Sequence, residues 1–278
     1  MNQLTNQFNN QGMQVQENQS YGMAVGASRE MEEVKGQIFM AKQFPRNVFQ
    51  AEQRIVDSCA RPSLAATAVY SFPRGGTKVT GASIRLAEMI AQNWGNLTYG
   101  FEEISQQDGQ SLVKAYCWDL ETNVRHEKKF TVSHTIGLKG GKTKILTDAR
   151  DIYEKVANEA QRRVRACILS VIPGDITEKA VQQCNQTLAG NSQGPLKDRV
   201  SKALTAFKEN YRITQQQVEA KFGYNAQSFT EHDYVDLIQI FNSIKDGIAK
   251  PEDFFPKDAV LQEQKSTLTE AFKGEGNK

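Results

Sequence analysis

Between Val79 and Gly174 the spacing of apolar residues changes from helical to alternating and back to helical. In VTGASIRLAEMIAQNWG (Val79–Gly95), Ile84, Ala87, Ala91 and Trp94 recur at i, i+3, i+7 and i+10, which predicts a helix with one buried face. Leu97, Tyr99 and Phe101 then alternate with polar neighbours, the period of a strand. Asp108-Gly109 suits a two-residue type I′ hairpin turn, whose central positions both need positive φ. SLVKAYCWD and VRHEKKFTV follow as second and third strands around the turn-rich DLETN. From about Ala149 to Val171 the helical period returns. Tyr153, Val156, Ala157, Ala160, Val164, Cys167, Ile168 and Val171 form one face, and Pro173-Gly174 stops the helix. The pattern predicts an α+β fold: an antiparallel β-meander packed on one long helix.

The flanks are helical. Residues 1–27 are Asn/Gln-rich, with little charge and no apolar period, and read as a disordered tail. Ser28 opens a helix to about Gln43, Asn47 caps a second, and Arg61-Pro62 closes it. Thr67–Phe72 and Lys78–Thr80 predict a hairpin whose tip carries Arg74 and Lys78. DITEKAVQQCNQTLAG continues as a helix capped by Asp175 or Thr177. AGNSQGP (189–195) reads as a linker. Beyond it, Val200, Leu204, Phe207 and Tyr211 form one stripe, and the pairs Thr214/Gln217 and Thr230/Asp233 open two further helices. The expected division is a core over 28–188, a linker over 189–195, a small helical domain over 196–256 and a tail over 257–278. Phe254 and Phe255 serve that domain as a lid or as a docking point.

Charge sharpens the picture. From Val124 to Arg165 there are eleven lysines and arginines against five acids, a net of +6 in a chain whose total is +2. Such a concentration suits phosphate binding. On the long helix Lys155, Asn158, Arg162 and Arg165 lie opposite the apolar face, with Arg163 at its flank. That arrangement is also what a solvated helix face looks like. No apolar run approaches the roughly 20 residues that span a bilayer, and the N-terminus lacks a secretory pattern. The expectation is a cytoplasmic protein of a bacterial host cell with no membrane contact. Cys59, Cys117, Cys167 and Cys184 show no C-x-x-C spacing, so neither a zinc site nor a disulfide framework is expected. His126 and His134 read as surface histidines within the basic region.

Two catalytic patterns come up. Gly140–Thr143 (GGKT) echoes a phosphate-binding loop, but Ile136 stands where its first glycine belongs, and no apolar strand ending in Asp follows. ATP hydrolysis is not expected, and no cofactor is implied. Asp119 with Glu127 and Lys129 echoes a metal-dependent nuclease, in which two carboxylates hold magnesium and a lysine assists the attacking water. The same Asp119 also suits a turn.

The stretches VTGASIRLAEMIAQNWGNLTYGFEE and DARDIYEKVANEAQRRVRACILSVIPG, in this order, resemble the annealing core of the eukaryotic Rad fifty-two family. A related core is ascribed to phage single-strand annealing proteins of the RecT, Red-beta and Erf kind. The resemblance covers roughly residues 65–175. It implies a phage recombinase that binds single-stranded DNA and anneals complementary strands without ATP. It also implies rings or helical filaments in which neighbouring meanders extend a common sheet, and a C-terminal unit that contacts a phage exonuclease or a host single-strand-binding protein. The chain's own charge and periodicity select the candidate DNA-binding residues. They are Lys128, Lys129, Lys139, Lys142, Lys144, Arg162 and Arg165, set in a groove between sheet and long helix, with Arg74, Lys78 and Arg85 in second place. Metal-dependent cleavage through Asp119, Glu127 and Lys129 is the alternative.

Overall fold

The computed structural model describes residues 28–75, 77–138, 141–190 and 194–255. Helix α1 (28–43) leads into α2 (Val48–Cys59), where the Asn47 side chain accepts from the Gln50 amide. Pro62 does close α2, but it also starts another helix, α3 (Pro62–Ala68). At the first helical position its missing N–H has no intrahelical partner to lose. A hairpin follows, β1 (Val69–Arg74) with β2 (Thr77–Ala82). β2 therefore occupies the first residues expected to be helical. Helix α4 (Ile84–Trp94) begins only after Ser83, whose side chain accepts from the Leu86 amide.

Strands β3 (Leu97–Gln107), β4 (Gln110–Asp119) and β5 (Arg125–Ser133) form the antiparallel meander in that spatial order. Asp108 and Gly109 have φ of 51° and 70° and make the tight turn between β3 and β4. After β5 comes a two-stranded finger, β6 (Thr135–Gly137) with β7 (Thr143–Ile145). His134 stands at its base and is buried, not exposed; its Nε2 lies 2.7 Å from Ser111 Oγ.

Helix α5 (Ala149–Val171) crosses the meander, and the Asp148 side chain caps it by accepting from the Arg150 and Asp151 amides. Val156, Ala160, Val164, Cys167 and Ile168 are buried against a sheet face that includes Val113, Ala115 and Cys117. Each large aliphatic chain so buried contributes about 1.5–3 kcal/mol. Cys117 is sealed there, and burial pushes its thiol up to about 12. Helix α6 (Gly174–Ala189) starts directly behind Pro173 and packs on α2 and α3. Neither Asp175 nor Thr177 caps it, since Pro173 holds the cap position.

Helices α7 (Leu196–Tyr211), α8 (Gln215–Phe222), α9 (Glu231–Lys245) and α10 (Pro251–Phe254) gather around Phe207, Val218 and Leu237. Thr214/Gln217 and Thr230/Asp233 form reciprocal capping boxes. Phe254 and Phe255 are both buried in this cluster, which is the lid arrangement. α9 has a second attachment. Ser243 Oγ accepts from the Ser71 amide and donates to the Ser71 carbonyl, while Asn242 donates to the Ala66 and Val69 carbonyls. Through α9 the last helices grip the β1–β2 hairpin. A chain ending near Gly190 would leave those backbone groups without partners. Among the described residues no helix is long and apolar enough to cross a membrane.

Candidate nucleic-acid interface

The basic residues do not line a groove between sheet and helix. α5 lies flat on the sheet through its apolar face, so that space is filled by side chains. Its polar face turns the other way, and there Asn158, Gln161, Arg162 and Arg165 line an open cleft of about 530 Å³. Their spacing of three, four and seven residues puts them on one side of the helix. Ile84 and Arg85 at the start of α4 form a second wall, and Lys245–Ile248 at the end of α9 form the third. Four cations, Arg85, Arg162, Arg165 and Lys245, share the cleft with one acid, Asp246.

Local packing fixes each arginine. Gly81 stands opposite Tyr70 in the hairpin, and a Cβ there would lie 2.6 Å from the Tyr70 hydroxyl. Its absence lets the Tyr70 ring lie across the hairpin, and the Arg165 guanidinium stacks over that ring at 4.8 Å. Arg162 donates to the Gly247 carbonyl at 2.9 Å. Gly247 has φ 62°, and a Cβ there would stand 3.3 Å from Arg162 Nη2, so glycine suits both the turn and the approach. Arg85 pairs with Asp246 at 3.2 Å. The Gln161 side-chain oxygen is buried without a protein partner. Planar guanidinium groups held in this way suit phosphate oxygens, which they can engage bidentately.

The other candidates lie elsewhere. Lys128 and Lys129 are adjacent on β5, so they project from opposite sheet faces: Lys128 opposite Ala115 on the α5 side, Lys129 opposite Lys114 on the open side. Lys142 and Lys144 belong to the finger, and Lys139 falls outside the described residues. Arg74 is exposed at the hairpin tip. Lys78 pairs with Asp236 of α9, away from the cleft. Of the ten, the fold brings Arg85, Arg162 and Arg165 together. Lys245 joins them from α9, eighty residues after Arg165, with no sequence signal beyond its place in a last helical turn.

The nuclease-like residues do not converge. Tyr116 and Trp118 share the open face with Glu127, whereas Asp119, next in the strand, points to the other side. There Arg46 holds it in a two-pronged pair, Nη1–Oδ2 2.7 Å and Nη2–Oδ1 2.8 Å. Asp119 Oδ1 also accepts from the Glu121 and Thr122 amides. Burial alone would raise the Asp119 pKa, but Arg46 and the two amides outweigh it and hold the carboxyl below its ordinary value. Among the described residues no group of three His, Cys, Asp or Glu side chains is placed to hold a metal ion. Comparison of the chain with protein-family models, with curated proteins and with solved structures finds no match.

Proposed function

We propose that this protein binds single-stranded DNA through the cleft of Arg85, Arg162, Arg165 and Lys245 and promotes pairing of complementary strands without ATP, as a phage-type annealing protein. One observation carries the reading. Four cations from three distant parts of the chain converge on one open cleft, and each arginine is oriented by a ring, a carbonyl or a carboxylate. Such a surface grips phosphates and leaves base edges free to meet a second strand. The outer edges of β3 and β5 pair with no strand among the described residues, which supports assembly by sheet extension into rings or filaments. The Lys142–Lys144 finger would supply further phosphate contacts. Any contact with an exonuclease or a single-strand-binding protein would fall to the exposed side of α7–α10.

The test mixes two complementary labelled oligonucleotides with the full-length protein in chelator, without nucleotide. Duplex formation well above the spontaneous rate is expected, with both strands intact. No acceleration at any protein concentration would remove the annealing reading, and fragments appearing when magnesium is added would revive the nuclease.

A further inference from the structure

The sheet has a second face, which α5 does not cover. On it β4 places Tyr116 and Trp118 two residues apart, so their rings project side by side about 6–7 Å apart along the strand. Gly100 stands opposite Tyr116, and the Tyr116 ring lies over it, with the hydroxyl 3.5 Å from where a Cβ would stand. Arg125 reaches across from β5 with its guanidinium 5.5 Å from the Trp118 ring and 5.9 Å from the Tyr116 ring. Lys114 sits 5.8 Å from Tyr116 on the other side, and Lys129 is its cross-strand neighbour. Aromatic rings in line along a strand, flanked by cations, present what consecutive unpaired bases and their phosphates require.

Helix α1 lies over this face. Between them is a space of about 250 Å³, lined by Tyr116, Trp118 and Arg125 from the sheet and by Glu30 and Glu33 from the helix. Both acids therefore stand where a backbone phosphate tracking along Arg125 would pass. Neither forms an ion pair with Arg125, whose carboxylate partner is Glu127 at 3.3 Å. α1 is itself largely exposed, with only Ala41 fully buried. Val34 and Gln37 of α1 line the same space, so the helix offers the rings one apolar side chain and sets two carboxylates in the space that Arg125 lines.

We propose that the open face of the meander is a second surface for single-stranded nucleic acid, where bases stack on Tyr116 and Trp118, and that Glu30 and Glu33 of α1 compete there with the phosphates. This rests on the reading of the chain as a single-strand binder, but it uses none of the cleft residues and lies on the opposite side of the sheet. One molecule would then hold two separate stretches of strand, and α1 would weaken the second hold.

The experiment uses full-length protein and an oligothymidine in which 5-bromodeoxyuridine replaces the thymidines, irradiated in the complex, with the attached peptides mapped. Crosslinks at Tyr116 or Trp118 are expected beside those from the cleft. Glu30→Gln with Glu33→Gln should tighten binding about threefold or more at low salt and enrich the β4 crosslinks. Trp118→Leu should weaken binding at least fivefold or so, the loss of one stacked base. Arg125→Ala, at a more exposed position, should weaken it as well and keeps the test decisive if Trp118→Leu unfolds. Crosslinks confined to the cleft, with affinity unmoved by the α1 and Arg125 changes, would overturn this inference and leave the cleft reading standing. No binding to any oligonucleotide at low salt would overturn both.

Discussion

Arg46 and Arg162 are both arginines beside a carboxylate, yet the fold uses them in opposite ways. The Arg46 side chain is 7% exposed and Asp119 4%, and their bidentate pair is braced by Glu121, whose Oε1 accepts from the Arg46 backbone amide at 2.9 Å. Every oxygen of Asp119 is committed. Arg162 and Arg85 are 43% and 41% exposed: Arg162 lies 3.7 Å from Glu159 one turn back on α5 and donates to the Gly247 carbonyl, and Arg85 pairs with Asp246 in the turn after α9. The first arrangement ties α1–α2 to the end of β4. The second holds charge in place without consuming it. A basic residue is therefore read as structural or as binding by how completely its partners replace water, not by whether it has a partner.

The largest expected effect falls on the buried pair. Arg46→Ala should destabilise the fold by about 3–5 kcal/mol, because it strands a buried carboxylate. Denaturant unfolding measures it. Because the folded-state pKa of Asp119 is depressed, its contribution is complete above the ordinary carboxylate pKa and is lost as pH falls through the depressed value. The advantage of wild type over Asp119→Asn should accordingly shrink in acid. A constant difference from pH 7 to pH 3 would break the contrast with the cleft.

Next comes Arg162→Ala with Arg165→Ala. Binding to single-stranded DNA should weaken at least tenfold or so, and the slope of log affinity against log salt should fall by about 1.4, two phosphates at roughly 0.7 each. Stability should change by no more than about 1 kcal/mol per side chain. A large loss of stability would place these arginines with Arg46.

Asp246→Asn sharpens the comparison from the other side. Asp246 occupies Arg85 without burying it, so removing its charge should tighten binding severalfold in a titration at low salt. The smallest effect belongs to the finger. Lys142→Ala with Lys144→Ala should weaken binding only a few-fold, since these lysines lie on a short exposed ribbon with no packing to orient them.

The meander and α5 were legible because their signals are local: alternation in Leu97–Phe101, an Asp-Gly turn, and a long apolar stripe. Strand alternation also carried more than the charge count used. Applied to Lys128 and Lys129, it separates them onto opposite faces and removes a shared groove. The strand pairing within the finger was hidden because its glycines and lysines favour no strand by themselves, and α3 because Pro62 reads equally as a stop and as a first helical residue. The cleft was half legible. Arg162 and Arg165 follow from helical period, but Lys245 and Asp246 reach them only through the grip of Ser243 and Asn242 on β1, a tertiary contact that no local window contains. The Arg46–Asp119 pair spans 73 residues and was equally out of reach.

The central claim is that the cleft is held open and charged to take phosphates. The most direct test is a salt series of oligonucleotide binding by fluorescence anisotropy, with wild type and the Arg162/Arg165 double variant run side by side. For about five phosphate contacts, wild-type affinity should fall on the order of a hundredfold between 50 and 200 mM salt, and the double variant should show a distinctly shallower line. Parallel lines for the two proteins, or a flat response from wild type, would contradict it.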